Sequence, residues 1–324
     1  MNRWLALGIA LVAVLIASVY FFIPSRLLVT KIVLLHCNRY GADRVLKDTG
    51  NWARWWPRDG DGAGAGDRAE AGNETPAKVL TYKGVEYRLS RPLHLGEAIS
   101  IDDKGAKIPS ILNIFPLGSI DSSYLQWQFT RGAGWNPIRR IGHFRQASRL
   151  KTDMAVILDS LQHYLEDPAN IYGITITEAS SNDSFLVETR QTSNLYPGTG
   201  AIYDLVKRLD RFVNRRGGKR TGYPMVNVDP LPNREFLLRT AIPVDKAIAD
   251  SGDIVFRKLV HGNYLESDVR GGPALIGQAL DRMKAYIADN RRTVMAIPFF
   301  SLITDRALEP DSAKWVTRIY YPIY

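Results

Sequence analysis

Two arginines stand at matching places near the end of the chain. Arg239 lies four residues before Pro243, and Arg318 lies four residues before Pro322, each within an apolar, strand-like segment. A guanidinium group can bind a carboxylate or a phosphate through two parallel hydrogen bonds. If both side chains face one cleft, this pair predicts a site for an anionic group.

Internal pairing is the alternative for these two arginines. Glu188 and Glu266 occupy equivalent positions in strand-like segments, so either could neutralise a nearby guanidinium group. Both arginines could also face solvent. The residue pattern leaves these arrangements open.

The segments that carry these residues belong to an internal repeat over about 170–246 and 252–324. Each copy predicts a strand, a helix and two further strands. The helices carry matching apolar stripes, which are Ile202, Val206, Leu209 and Val213 in the first copy and Ile276, Leu280, Met283 and Ile287 in the second. Such a duplication normally places a cleft where its halves meet, and clefts are the usual ligand sites. We therefore expect a small molecule to bind between the repeats.

This region, 168–324, resembles the gyrase-inhibitor-like domain, the effector-binding module of many bacterial transcription activators. The resemblance rests on the duplication, on the turn Arg270-Gly271-Gly272-Pro273, on Leu302-Ile303-Thr304-Asp305 and on the final segment 317–323. It implies an amphipathic ligand in the cleft. Many members carry a carboxylate four residues before the terminal proline to meet a cationic ligand. Here that position is Arg318, which indicates an anionic amphiphile instead.

The predicted cleft site groups charged and aromatic side chains from both copies. Its residues are Glu188, Tyr223, Arg239, Glu266, Phe299, Arg318 and Tyr320. A hydrolase or cyclase is the first alternative function, and Tyr320 or Tyr321 beside one of the two glutamates would favour it. An interaction scaffold without a ligand is the second alternative.

No pattern in the sequence assigns a catalytic residue, a metal ligand or a cofactor. The five histidines lack metal-ligand spacing. The segment 59–70 resembles a calcium-binding loop, but Ala63 stands at one of its ligand positions, so a solvated linker is the preferred interpretation. The single cysteine, Cys37, lies in an apolar run and is expected to be buried and inert.

Residues 26–167 predict a separate domain of a strand, short helices, several strands and one long helix. Asn136 and Pro137 suit the start of that helix as N-cap and first helical residue. With its tryptophan-rich stretch 51–57, the domain resembles the START-like, polyketide-cyclase-like (SRPBCC) superfamily, whose long helix packs into a curved sheet around an apolar cavity. The resemblance implies a hydrophobic ligand near Trp52, Trp55, Trp56 and Trp127. Packing of these rings in the core is the alternative.

The N-terminus carries an uncharged apolar run over residues 4–23. At about 1.5 Å per helical residue, this run predicts a single-pass anchor in the lipid bilayer, with a cleaved signal peptide as the alternative. The flanking basic residues favour a cytoplasmic body. The chain has a net charge of +9, but its sequence shows no helix typical of nucleic-acid recognition. We therefore expect no nucleic-acid partner.

Together these features predict an α+β protein in three parts. A transmembrane anchor covers 1–25, a helix-grip START-like domain covers 26–167, and a duplicated effector-binding domain covers 168–324. The expected function is that of a membrane-anchored sensor or carrier for a hydrophobic or amphipathic small molecule, without a cofactor.

Overall fold

The structure, a computed structural model, describes residues 3–58, 79–181, 184–259 and 262–324. The chain divides into two compact units, Met1–Ile171 and Tyr172–Tyr324. Each unit combines helices with one antiparallel sheet, which confirms the predicted α+β class. The calcium-like segment 59–70 lies outside the described residues.

The first unit contains six strands and three helices of more than eight residues among its described residues. They are α1 (Arg3–Phe22), β1 (Arg26–Leu35), α2 (Arg39–Lys47), β2 (Val79–Tyr82), β3 (Val85–Leu93), β4 (Gly96–Asp103), β5 (Ala106–Leu117), β6 (Ser119–Gly132) and α3 (Pro137–Leu165), with a 3-10 turn at Thr49–Arg54 and the short α4 (Pro168–Tyr172) after α3. The strand order is β1-β6-β5-β4-β3-β2, so the first strand pairs with the last one. Helix α3 packs on β1 and β6.

Helix α3 begins where the sequence predicts. The Asn136 side chain accepts hydrogen bonds from the backbone nitrogens of Ile138 at 2.9 Å and Arg139 at 3.2 Å, and Pro137 opens the helix. These bonds satisfy backbone donors that the first helical turn leaves unpaired. The buried stripe of the helix contains Ala147, Leu150, Met154, Ile157, Leu158, Leu161 and Leu165.

The tryptophans predicted to line a cavity in the first unit, Trp52, Trp55, Trp56 and Trp127, are all buried, and they pack in a continuous aromatic cluster with Tyr87. Ring centroids lie 4.8 Å apart for Trp52 and Trp55, 5.3 Å for Trp56 and Tyr87, and 5.8 Å for Tyr87 and Trp127. The indole nitrogen of Trp52 donates to the Leu46 carbonyl at 2.8 Å. The cluster is part of the core, and its role as the lining of a ligand cavity stays a prediction.

Helix α1 covers the apolar run predicted as a membrane anchor. Its last turn contacts α3, because the Tyr20 ring lies 4.8 Å from the Arg140 guanidinium and Arg140 Nε donates to the Ile23 carbonyl at 2.8 Å. In the described part of the chain, no helix reaches the length and mean hydropathy of a bilayer-spanning segment. The predicted anchor over 1–25, the bilayer contact of residues 4–23 and the single-pass location are therefore not supported.

The second unit contains eight strands and two long helices among its described residues. They are β7 (Thr177–Ser181), β8 (Ser184–Ser193), α5 (Thr199–Arg215), β9 (Met225–Pro230), β10 (Phe236–Val244), β11 (Val255–Leu259), β12 (Gly262–Arg270), α6 (Pro273–Asp289), β13 (Phe299–Leu302) and β14 (Val316–Ile323). The sheet order is β11-β8-β10-β9-β13-β14-β12-β7.

The two halves of this unit share one element order, β8-α5-β9-β10 and β12-α6-β13-β14. In the sheet, the first half is ordered β8-β10-β9 and the second is its reverse, β13-β14-β12. Strands β9 and β13 pair at the centre, so the halves meet along this seam.

The outer strands are exchanged between the halves. Strand β7 leads into β8 along the chain but pairs with β12 of the other half. Strand β11 leads into β12 but pairs with β8. Each half therefore completes the sheet of the other.

Side chains alternate along the strands, so one face of the sheet packs against helices α5 and α6 and the other face is available for a site. Leu238, Ile242 and Val244 of β10 join the core under α5, and Ile319 and Tyr321 of β14 join the core under α6. Because successive side chains in a strand point to opposite faces, the residues between them face away from the helices.

Candidate functional site

A cavity of about 830 Å³ lies at the seam between the halves of the second unit. Its lining comes from both halves and includes Leu186, Glu188 and Arg239 from the first and Tyr264 and Phe299 from the second. Ligand pockets for small molecules usually have volumes of about 300–1,000 Å³. The cavity therefore has room for an organic molecule.

One wall of the cavity is aromatic. The rings of Tyr264 and Phe299 meet edge to face with centroids 5.9 Å apart, and Phe299 stacks on Tyr320 at 4.9 Å with an interplanar angle of 16°. Aliphatic side chains continue this surface, namely Leu186, Met225, Met295, Ile297 and Pro322. Unbranched methionine side chains adapt to ligands of different shape. This wall can bury the apolar part of a ligand.

The polar end of the cavity lies in the first half. Arg239 Nη1 donates to Asn227 Oδ1 at 2.7 Å and also bonds Asp229. Glu188 accepts from Arg190 Nε at 2.6 Å, and Arg257 Nε lies 3.9 Å from its second oxygen. Both oxygens of Glu188 are thus met by guanidinium groups.

Asn227 connects the polar end to the seam. Its Nδ2 atom donates to the Pro298 carbonyl of the other half at 3.0 Å, while its Oδ1 atom accepts from Arg239. Asn227 follows Met225 and Val226, which pair with β13. This side chain ties the position of Arg239 to the junction of the halves.

Arg318 makes a different set of contacts in the second half. Its Nε and Nη2 atoms donate to the two oxygens of Asp268 at 2.6 and 2.9 Å, and its Nη1 atom lies 3.9 Å from Glu266. The hydrogen bonds from Arg318 hold the pKa of Asp268 below its usual value. The carboxylate that the Arg318 guanidinium binds is therefore a residue of this chain.

The structure brings three of the seven predicted cleft residues to the cavity, namely Glu188, Arg239 and Phe299. Glu266, Arg318 and Tyr320 lie together on β12 and β14 without lining it, and Tyr223 is exposed ahead of β9. Their assignment as ligand contacts stays a prediction.

The tyrosines named for the hydrolase alternative point in opposite directions. Tyr320 lies opposite Glu266 in the strand register, and burial raises its pKa. Tyr321 packs in the core under α6. Tyr320 and Glu266 are therefore neighbours on adjacent strands, but neither residue lines the cavity.

Sequence reasoning missed Asn227 and Tyr264. A signal for Tyr264 was present, because it stands two residues before Glu266 and so shares a face with it in a strand. Asn227 could not be found in this way, since its place opposite Arg239 depends on the register between β9 and β10.

Metal binding has no support in the described ranges, where no three histidine, cysteine, aspartate or glutamate side chains are grouped as ligands. Cys37 is buried in the first unit, and burial raises the pKa of its thiol to about 12. The predicted burial of this thiol is confirmed, and its inertness stays a prediction that the raised pKa supports, because a protonated thiol is a poor nucleophile.

No protein-family model and no curated protein matches the sequence. Solved structures that align with it include the EcmrR C-terminal domain, at 16% identity and a TM-score of 0.40 over 47% of this chain and 98% of that one. SAV2435 bound to tetraphenylphosphonium aligns at 17% identity and a TM-score of 0.32 over 47% of this chain and 94% of that one. A hydrolase from Listeria innocua aligns at 6% identity and a TM-score of 0.37 over 46% and 92%. At TM-scores below 0.5, these similarities assign neither a family nor a ligand.

Proposed function

We propose that this protein binds an amphipathic small molecule in the cavity between the halves of residues 172–324. The observation that carries the proposal is the division of one 830 Å³ cavity into an aromatic wall and a polar end. Burial of apolar surface contributes roughly 25 cal/mol per Å², and a few polar groups then fix the orientation of the ligand. Glu188, Asn227 and Arg239 are those polar groups.

A sensor or carrier role is part of this proposal. Met295 and Ile297 line the cavity and are 60% and 50% exposed, so the cavity opens to solvent on their side. A ligand can then enter and leave without unfolding of the sheet. Attachment to a membrane is not part of the proposal.

The relations to known folds also enter as proposals. The reversed order of the two halves about the β9–β13 seam supports a relation of residues 168–324 to the gyrase-inhibitor-like effector-binding domains. The pairing of β1 with β6 and the packing of α3 on both support a START-like relation of residues 26–167.

The test is a titration of the full chain with an environment-sensitive amphiphile, anilinonaphthalene sulfonate, followed by displacement with dodecyl compounds. We expect saturable binding with one site. Phe299→Asp should weaken it at least about tenfold, because it places a carboxylate in the aromatic wall, where burial without a partner is unfavourable.

The matched control is Phe144→Asp, which makes the same change at a 43% exposed position on α3 of the other unit. It should leave the titration unchanged. Absence of saturable binding by any amphiphile, or equal effects of both substitutions, would contradict the proposed function.

A further inference from the structure

Arg239 and Arg318 occupy equivalent strand positions but face different neighbours. Across the β14–β12 register, Arg318 lies opposite Asp268. Across the β10–β8 register, Arg239 lies opposite Arg190. The second half therefore supplies an acid to its arginine from the neighbouring strand β12, whereas the first half places a second arginine opposite its own, on β8.

The second half shows how a carboxylate binds at this position. Asp268 accepts from Nε and Nη2 of Arg318, the two donors on one edge of the guanidinium plane. Two parallel, charge-assisted hydrogen bonds of this kind are the strongest arrangement between arginine and a carboxylate.

The same edge of Arg239 has no such partner. Both hydrogen bonds of its side chain to described residues use Nη1, which meets Asn227 and Asp229. Neither Nε nor Nη2 contacts an acceptor within the described ranges, and neither is among the buried polar atoms that lack a partner. Arg239 lines the cavity and 23% of its side chain is exposed, so the unpaired atoms Nε and Nη2 can be reached by solvent.

We propose that the Nε–Nη2 edge of Arg239 binds the carboxylate of an anionic amphiphile, in the arrangement that Asp268 adopts against Arg318. This inference rests on the proposed function and names the headgroup of its ligand. The apolar tail then lies against Tyr264 and Phe299, which line the same cavity.

The charges around the polar end agree with a monoanion. Arg190, Arg239 and Arg257 lie near two carboxylates, Glu188 and Asp229, so these five side chains together carry one net positive charge. Both oxygens of Glu188 already meet guanidinium groups, so this residue is a poor partner for a cationic ligand.

The experiment compares three probes that share one tail: dodecanoate, dodecanamide and dodecyltrimethylammonium. Each is titrated into the full chain by isothermal calorimetry, the two ionic probes below their micelle concentrations and dodecanamide below its solubility limit. Hydrogen bonds to charged groups contribute about 1.5–3 kcal/mol, so dodecanoate should bind about 10- to 100-fold more tightly than dodecanamide. The cationic probe should bind most weakly.

Two substitutions change the Arg239 edge in different ways. R239L removes the guanidinium and should abolish the preference for dodecanoate. R190D keeps Arg239 but places an aspartate opposite it, as Asp268 stands opposite Arg318, so the edge is filled from within the chain. R190D should weaken the binding of dodecanoate by a factor similar to that of R239L. It should leave the affinity for dodecanamide within about twofold of the wild-type value.

R318L separates this subsite from a clamp formed by both arginines. It should leave the preference for dodecanoate intact, because Arg318 does not line the cavity. If no probe binds, the proposed function fails together with this inference. If the wild-type chain binds dodecanoate and dodecanamide equally, or if R318L removes the preference as R239L does, the inference is wrong and the proposed function stands.

Discussion

At the scale of single residues, the buried hydroxyl of Tyr87 lowers the stability of the first unit. Its side chain is 1% exposed, and its hydroxyl oxygen lacks a hydrogen-bond partner among the described residues. Burial is the main cause of its raised pKa, followed by the charge of Asp153. A buried polar group without a partner costs about 1–3 kcal/mol.

We therefore expect Tyr87→Phe to raise the free energy of unfolding by about 1 kcal/mol. The ring contacts with Trp56 and Trp127 are kept, so only the hydroxyl is lost. Urea denaturation measures the change. Tyr172→Phe is the control, because the Tyr172 hydroxyl bonds Asp289 at 3.2 Å and its loss should be destabilising. A less stable Tyr87→Phe variant would refute the argument.

The raised pKa of Glu97 makes the free energy of unfolding of the first unit depend on pH. Burial, with a smaller contribution from the charge of Asp43, raises the pKa of Glu97 from 4.5 to about 7. The protonated form is thus favoured in the folded state, and its stabilising contribution is complete below pH 4.5 and lost as the pH rises through 7. At one unit of pKa per 1.36 kcal/mol, the loss is roughly 3 kcal/mol at most.

Glu97→Gln should abolish this dependence. We expect the variant to be more stable than the wild type at pH 8 and equally stable at pH 4, measured by denaturation at each pH. Glu86→Gln on the neighbouring strand serves as the control, because the Glu86 carboxylate is 46% exposed. It should leave the free energy of unfolding nearly unchanged at both pH values. A parallel pH profile for Glu97→Gln and the wild type would exclude the assignment.

At the scale of elements, the seam between β9 and β13 is short, so each hydrogen bond across it contributes noticeably to the stability of the sheet. Two register pairs join the strands, and the Leu302 amide donates to the Pro224 carbonyl at 2.9 Å. The Asn227 side chain adds a bond to Pro298. Asn227→Ala leaves both the Pro298 carbonyl and Arg239 Nη1 short of one partner.

The expected cost of Asn227→Ala is about 1–3 kcal/mol, measured by thermal or urea denaturation. Asn263→Ala is a suitable comparison, because Asn263 also lines the cavity but is exposed at the start of β12. It should stay within about 0.5 kcal/mol of the wild type. Equal losses in both variants would mean that Asn227 does not hold the seam.

Local patterns explain which elements were predictable from the sequence. Asn136 and Pro137 fixed the start of α3, and the apolar stripes located α5 and α6, because caps and periodicity act within a few residues. The alternation of β10 explains why Arg239 faces away from the core, although the residue pattern alone left its direction open. The partner of Arg318 was not predictable, since its contact with Asp268 depends on the register between β14 and β12.

The cavity itself was predictable only in outline. A duplicated sequence indicates a seam, but the lining depends on which strands are neighbours in the sheet. Tyr264 reaches the cavity beside Phe299 because β13, β14 and β12 are adjacent, an order that differs from their order in the chain. Contacts between distant segments of this kind leave no local signal.

At the scale of the whole molecule, the second unit has what an independent domain needs. Residues 172–324 contain two apolar cores, one under each long helix, and the complete cavity. We expect a fragment of these residues to unfold cooperatively and to bind anilinonaphthalene sulfonate with an affinity within about threefold of that of the full chain. An unfolded fragment, or one that folds without binding, would show that the site needs the first unit.

The exchange of β7 and β11 decides how the duplication can come apart. A chain cut between 246 and 252 would produce two pieces, each of which carries an outer strand shaped to the other piece and lacks its own. Neither piece has a finished sheet, yet the two together have every strand. The domain thus has the construction of a strand-exchanged dimer whose two similar halves are joined in one polypeptide, so the two sides of the cavity cannot dissociate.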